Sequence, residues 1–290
     1  MNASTYNYRM LGMVTLYHPD PQNAAANIQR YIGDVDALII WDNSPLESNL
    51  QPQLMSALAE ASAKVIWHGD GQNHCIAPAI NYAWHYAVTH HFDFLLLMDQ
   101  DSAWKDFRSY RSDVERLFAQ QHLTVFTPYV EGCDKFSVAK DIQTRGLFIN
   151  SGTVIPTQAL TAIGGVDEKA FPLDAVDHDI SLSITTYGYT IVCLTVHRLI
   201  HSLGHPQRLG PFHMYTPNYD RYRTYSMTRS HTICYRKHKA LMSEEHRKYY
   251  FHEILFWKFV RIIFSEPDKF RRMKAFLSGF VSGCRYRIKA

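Results

Sequence analysis

The sequence predicts an α/β fold: a mostly parallel central sheet flanked by helices, followed by a helical C-terminal extension. Three observations carry that expectation. Short, nearly continuous apolar runs alternate with Ala/Leu-rich stretches of helical period through the first third of the chain, the pattern of βα units whose strands are buried on both faces. Two of those runs stop abruptly at acidic, turn-forming clusters. From Tyr219 onward the pattern is helical.

Met10 to Tyr17 (MLGMVTLY) reads as the first strand and His18-Pro19-Asp20-Pro21 as the turn that ends it. A helix follows over Asn23 to Tyr31. Ala37 to Trp41 (ALIIW) is a buried strand cut off by Asp42-Asn43-Ser44-Pro45. Leu50 to Ala63 is helical, Lys64 to His68 is strand-like, and Gly69 to Asn73 is a polar loop. Ile76 to His90 is helical again, and Phe92 to Met98 (FDFLLLM), the most apolar strand, ends at Asp99-Gln100-Asp101-Ser102. Parallel sheets of this kind bind ligands outside the carboxyl ends of their strands. Asp42, Asp99 and Asp101 fall there.

Beyond Ser102 the order is mixed. Asp106 to Gln121 reads as a helix, Leu123 to Pro128 as a strand and Glu131 to Arg145 as a loop. Leu147 to Ile155 reads as a strand, Val176 to Tyr187 as a helix and Thr190 to Leu194 as a strand. His201 to Pro217, rich in Gly, Pro and His, suits an active-site loop or lid. The expected division is a larger domain over residues 1–218, in halves of about 8–102 and 103–218, and a basic helical extension over 219–290.

Composition sets limits. A chain of 290 residues is long enough for a large domain and an appendage. The net charge of +3 is too small for a general nucleic-acid binder, but it is unevenly spread. Residues 236–290 carry 14 Lys/Arg against 5 Asp/Glu, whereas the residues before them carry 16 against 22. An acidic body with a basic, aromatic-rich tail suits peripheral contact with an anionic membrane through residues 249–290. The plainer alternative is helices packed on the rest of the chain with a solvated basic face. No apolar run approaches the ~18 residues of a spanning helix, and Met1 to Arg9 lacks the basic-then-apolar order of a signal peptide. Five scattered cysteines without C-x-x-C fit free thiols in a reducing compartment. The expected location is cytoplasmic, with peripheral contact on the inner face of the cell membrane.

Asp99 and Asp101, carboxylates at i and i+2 after a buried strand, can face one hard cation from one side. Diphosphate oxygens would complete the shell of a Mn²⁺ or Mg²⁺ ion; otherwise the pair is a solvated acidic turn. Asp42 either accepts a hydrogen bond from a base or ribose hydroxyl or caps its own turn. Gly69 to Ala77 joins strand to helix and could offer N-terminal amides to a phosphate, although it matches no phosphate-loop signature. Asp174, Asp177 and Asp179 open a helix, where carboxylates complement the dipole or supply a general base. His201 and His205, four apart, could join a metal if their loop curls. The absence of H-E-x-x-H and G-x-S-x-G weighs against a zinc protease and an α/β-hydrolase. A nucleotidyltransferase would need a Gly-rich basic loop after the first strand, and Leu16 to Pro21 offers none.

Five segments stand in order: Val14-Thr15 leading to Pro19-Asp20; Ile39 to Ser44; Asn73 through Asn81; Met98-Asp99-Gln100-Asp101-Ser102; and Gly164 to Glu168 running into Asp177-His178-Asp179. Together they resemble the family 2 inverting glycosyltransferases of GT-A fold. The Asp-Gln-Asp-Ser form and Ile200-His201-Ser202-Leu203-Gly204 point to their rhamnosyltransferase-like branch. The resemblance spans Met10 to His238. It implies a nucleotide-sugar donor bound by Thr15, Tyr17, Asp42, Asn43, Asn73, Ile76, Asn81, Asp99 and Gln100. It places the metal on Asp101 with Asp99 and His201, the catalytic base at Asp177, and Ser151, Gly152, Asp174 and Asp179 on the acceptor side.

The implied reaction is a single in-line displacement onto a hydroxyl of a glycan or lipid-linked glycan, in bacterial polysaccharide biosynthesis. Rhamnose from dTDP-rhamnose is the first expectation for the donor and a UDP-hexose the alternative; a non-catalytic nucleotide-sugar-binding relative is the alternative of another class. The chain departs from the family pattern with Cys75 where many relatives have Gly, Val176 where they have Glu, and Ser183 where they often have Arg. These departures bear on donor preference more than on the reaction class, since the acidic groups are intact.

Overall fold

The computed structural model describes residues 7–134, 140–201, 207–210 and 213–288. The chain divides into two compact units, Met1–Val166 with Ser183–Ser202, and Asp167–Leu182 with Leu203–Ala290.

The first unit is built on one large sheet. Its elements are β1 (Met10–Leu16), α1 (Pro21–Gln29), β2 (Ala37–Asp42), α2 (Leu50–Leu58), β3 (Val65–His68), α3 (Ala77–Thr89), β4 (Phe94–Asp99), β5 (Ser102–Trp104), α4 (Phe107–Phe118), β6 (Thr124–Glu131), β7 (Ile142–Arg145), β8 (Val154–Pro156), α5 (Thr157–Ile163) and β9 (Thr190–His201). The sheet runs β3-β2-β1-β4-β8-β6-β9-β5, with β7 also paired to β9. Its first four strands are parallel, and β1 and β4 are buried along almost their whole length, as expected of strands covered on both faces. The chain lays down β1, β2 and β3 in one direction, then returns to place β4 on the other side of β1. That reversal opens a crevice at the carboxyl ends of β1 and β4. Helix starts are chemically marked: Asp20 accepts the N–H of Asn23 ahead of Pro21, and Asp106 accepts the N–H of Ser109.

Four features of this unit differ from the sequence reading. The expected loop over Glu131 to Arg145 contains β7, residues 135–139 lying outside the described set. The expected strand from Leu147 is confined to Val154–Pro156. Helix α5, which no helical pattern marked, follows Pro156 and ends at Gly164 in a left-handed conformation (φ 71°). The strand begun at Thr190 runs on through His201, because its far end pairs with β5. A register shift at Pro128, which has no amide to donate, lets β6 follow β9 along this length.

The second unit holds α6 (Val176–Thr185, its last three residues belonging to the first unit), a hairpin of β10 (Gln207–Leu209) and β11 (Met214–Thr216), and helices α7 (Arg221–His238), α8 (Glu244–Tyr249), α9 (Lys258–Phe264) and α10 (Lys269–Arg285), with a π-helical stretch over Tyr250–Trp257 between α8 and α9. Part of the expected lid is thus a hairpin; residues 202–206, His205 among them, and 211–212 lie outside the described set. No helix among the described residues is long and apolar enough to cross a membrane. Helix α7 buries Thr224, Ser226, Thr228, Ser230 and Thr232. The Thr228 and Thr232 hydroxyls donate back to the carbonyls of Thr224 and Thr228, so these two hydroxyls are buried with partners.

Glu266 is completely buried and accepts hydrogen bonds from Thr216 (2.6 Å), Lys258 (3.1 and 3.2 Å) and Arg272 (2.9 Å), joining β11, α9 and α10. Burial alone would raise its carboxyl above the ordinary 4.5, but the Lys258 charge and these hydrogen bonds outweigh that and hold it below. A depressed carboxyl stabilises the fold above its ordinary value, and that contribution disappears as the pH falls through the depressed value. Glu266→Gln, leaving Lys258 and Arg272 uncompensated, is expected to cost about 3 kcal/mol in urea denaturation of the full chain at neutral pH. The difference between variant and wild type should shrink in acid.

Candidate active site

Register brings the first-unit site residues to one edge. In the parallel ladder Thr15 on β1 stands beside Asp99 on β4, and Leu16 beside Asp42 on β2. The chain after β4 then turns through Gln100 and Asp101 into β5, whose antiparallel pairing with β9 sets Ser102 opposite His201. One ligand atom from each of Asp99, Asp101 and His201 comes within 4.8 Å of the others. His201 Nδ1 lies 3.4 Å from Asp101 Oδ1 and 2.7 Å from the Ser102 hydroxyl.

A chain of hydrogen bonds supports this triad from below. The Asp99 N–H donates to Ser151 Oγ (3.2 Å), and Ser151 donates to Ser102 Oγ (2.6 Å), which meets the His201 ring. Ser151 and Ser102 are completely buried, whereas the Asp101 side chain is 44% exposed. The amides of the turn are secured as well. Gln100 accepts the Tyr17 N–H (2.7 Å) and donates to the Tyr17 carbonyl (3.2 Å), and Asn27 donates to the Gln100 carbonyl (2.9 Å). Gly152 sits beneath at φ 80°, where a Cβ would stand 2.7 Å from Pro128, and its carbonyl accepts from Tyr110 (3.1 Å). Cys133, whose thiol is pushed up to about 11 by burial and then by Asp134, Asp101 and Asp99, is a neighbour that no sequence pattern marked.

Asp42 caps its own turn, one of the two parts the sequence allowed it. Its carboxylate accepts the Ser44 N–H (2.8 Å), capping the turn, and it also lines a cleft of about 190 Å³ with Pro45, Leu46, Asn49, Trp67 and Gly69. That volume has room for a single ring rather than a whole nucleotide. A Cβ at Gly69 would come 3.0 Å from the Asp42 Cβ, so a larger residue would press on this wall. Asn43 is turned inward. It accepts from Trp41 Nε1 (3.1 Å) and the His74 N–H (3.0 Å) and donates to the Cys75 carbonyl (3.1 Å), tying β2 to the loop before α3. Asn73 accepts the Cys75 N–H within that loop, and Ile76 precedes the first turn of α3. Asn81 engages both backbone groups of Val166, at 2.9 and 2.8 Å.

The second-unit acids divide by partner. Asp179 is buried and bonded to Lys237 (2.8 Å) and His238 (2.7 Å) on α7. Asp174 is buried against Arg223 (3.2 Å), and burial raises its carboxyl despite that charge. Asp177 is partly exposed, accepts the His178 N–H (2.9 Å), and has no cationic partner among the described residues. The rings of His178, His231 and Tyr249 pack together with centroids 5.3 to 6.0 Å apart, and Tyr249 is near enough to feel the Asp177 charge. Burial, and then His178, hold His231 well below the usual histidine value.

No protein-family model and no curated protein matches the chain. Solved structures do. GalNAc-T7, solved with UDP, GalNAc and Mn²⁺, superposes with a TM-score of 0.60 at 8% identity over 94% of this chain, which spans only 56% of that one. The mannosyltransferase PcManGT from Pyrobaculum calidifontis, solved with GDP-Man and Mn²⁺, gives 0.59 at 13% identity over 98% of this chain and 77% of its own. Residues 1–349 of TarS from S. aureus give 0.53 at 13% identity over 96% and 81%. At these identities the likeness establishes the fold, which is GT-A, as the sequence led us to expect.

The donor set can be probed through its supports. Ser102→Ala, which removes the hydroxyl orienting His201, should weaken Mn²⁺ binding about tenfold in isothermal titration calorimetry. Asp101→Ala should abolish measurable binding, and unchanged affinity in both variants would show that the triad does not hold the ion.

Proposed function

We propose that the chain is a metal-dependent glycosyltransferase that moves a sugar, with inversion, from a nucleoside-diphosphate donor to a hydroxyl of a glycan or lipid-linked glycan. The convergence of Asp99, Asp101 and His201 at the β1–β4 reversal, on the same edge as the Asp42 cleft, carries this reading. Two carboxylates and an imidazole suit Mn²⁺ and, through the carboxylates, Mg²⁺. An ion held there would offset the charge that develops on a departing diphosphate.

The chain's own residues do the rest. Asp42 meets the base in a cleft of one-ring size, while Thr15, Tyr17 and Gln100 border the crevice in which the sugar diphosphate lies. Asn43, Asn73 and Asn81 act on the donor by fixing the loops around it, and Ile76 sets the start of α3. Ser151 and Gly152 hold the floor of the metal site. Asp177 is the general base that takes the acceptor proton; Asp174 and Asp179, engaged by cations, position its helix. The sugar is rhamnose from dTDP-rhamnose in the first instance. Because the solved neighbours were captured with UDP, UDP-GlcNAc or GDP-Man, a UDP-hexose is the alternative.

The test is release of nucleoside diphosphate with Mn²⁺ across a panel of dTDP-, UDP- and GDP-sugars. Wild type should turn over one donor, and Asp101→Ala should be slower by about 100-fold or more. Equally slow release by both, with every donor, would overturn the reading. Asp177→Asn should keep donor affinity while losing transfer by about 100-fold or more; loss of donor binding instead would remove Asp177 from the role of base.

A further inference from the structure

Helix α10 meets α7 through two glycines. Arg272, Phe276, Gly279 and Gly283 are its buried residues. A Cβ at Gly279 would stand 2.6 Å from the Tyr225 carbonyl oxygen, and one at Gly283 would stand 2.7 Å from the Thr232 Cβ. With its glycines pressed on α7, the helix turns bulk outward: Phe270 is 94% exposed, Leu277 51% and Val281 44%. Lys274 and Arg285, also exposed, fall on the same stripe.

A helix bordering only water carries a polar outer face. Here a groove of about 1010 Å³ runs past Phe270, Lys274, Leu277, Val281 and Arg285. It shares Leu277 with a second groove of about 380 Å³ walled entirely by apolar side chains, Phe251, Phe256 and Phe259 among them. Large apolar side chains exposed along one stripe, beside a groove walled by aromatic and aliphatic residues, point to a partner.

Charge selects which. Between Lys269 and Arg285 there are five basic residues and no Asp or Glu. A second copy meeting this face would set bases against bases, and a polynucleotide would leave the aliphatic stripe in water. An anionic bilayer satisfies both halves of the pattern, with apolar side chains in the interface and bases on lipid phosphates.

We propose that the outer face of α10, together with the exposed aromatics of the Tyr250–Trp257 stretch, docks in the plane of an anionic lipid bilayer. Phe270, flanked by Lys269 and Arg271, enters the headgroup region at one end, and Leu277 and Val281 follow along the stripe. Lys274 and Arg285 engage phosphates. The inference stands apart from the transferase reading, since it uses none of the candidate site residues.

Sedimentation of the full chain with vesicles tests it. At low salt the protein should pellet with phosphatidylcholine vesicles containing phosphatidylglycerol and stay in solution with phosphatidylcholine alone. Lys274→Glu/Arg285→Glu should weaken binding by about 25-fold or more, and Phe270→Ser/Leu277→Ser should weaken it without altering thermal unfolding, the positions being exposed. Failure of wild type to pellet, or apolar variants that pellet as wild type does, would overturn the proposal. So would a wild-type dimer in light scattering that Leu277→Ser dissociates, because the face would then belong to a second copy.

Discussion

The three-residue ladder between β5 and β9 is the constraint on which the candidate site depends. Parallel register alone aligns Thr15, Asp42 and Asp99 at one edge, but it leaves Gln100 and Asp101 as the start of an unanchored acidic turn. Pairing Ser102 with His201 ends that freedom. It closes the turn, delivers an imidazole from a hundred residues away and buries two serine hydroxyls that link the turn to the sheet. Two carboxylates held this close repel one another. The protein sustains the arrangement with backbone pairing and hydroxyls.

Burial sorts the acids of the second unit into distinct parts. Asp179 and Glu266 are sealed in with two basic partners each and serve as struts between elements. Removing one side of such a pair leaves an uncompensated buried charge, which is why both partners must persist. Asp177, in the first turn of α6 and two residues from Asp179, escapes this fate: it is partly exposed and has no cationic partner among the described residues. The helix that presents it is anchored by the residues on either side of it in sequence. Rigidity and availability are thus divided among acids that look interchangeable on paper.

Much of the first unit could be read from residues in order. The strand ends at Asp42 and Asp99 were legible because an apolar run and a polar turn are both local signals, and local signals need no partner. What stayed hidden was non-local. The sequence Thr195-Val196-His197-Arg198 interrupts the apolar run after Leu194, so β9 reads as ending where it in fact continues, and His201 reads as part of a loop. β5 is too short to announce itself. Ser151 was expected on the acceptor side, and its link between the Asp99 amide and the Ser102 hydroxyl exists only once β4 and β5 are in place. Asn43 and Asn81 look like ligand-facing amides, yet their donors and acceptors are taken by the chain itself, and only the hydrogen-bond geometry reveals that.

The close approach of α10 to α7 also inverts the usual rules of substitution. On most surface helices the inner face tolerates one apolar residue for another, and the outer face tolerates nearly anything polar. At Gly279 and Gly283 no enlargement fits, because backbone and threonine carbons already occupy the space. The outer positions have ample room, and the proposed bilayer contact would leave their size free while holding their chemical character. Among divergent copies of this chain, α10 should therefore change its volumes on the side facing outward and keep two vacant Cβ positions on the side facing in. Hydropathy averaged along the helix would register neither.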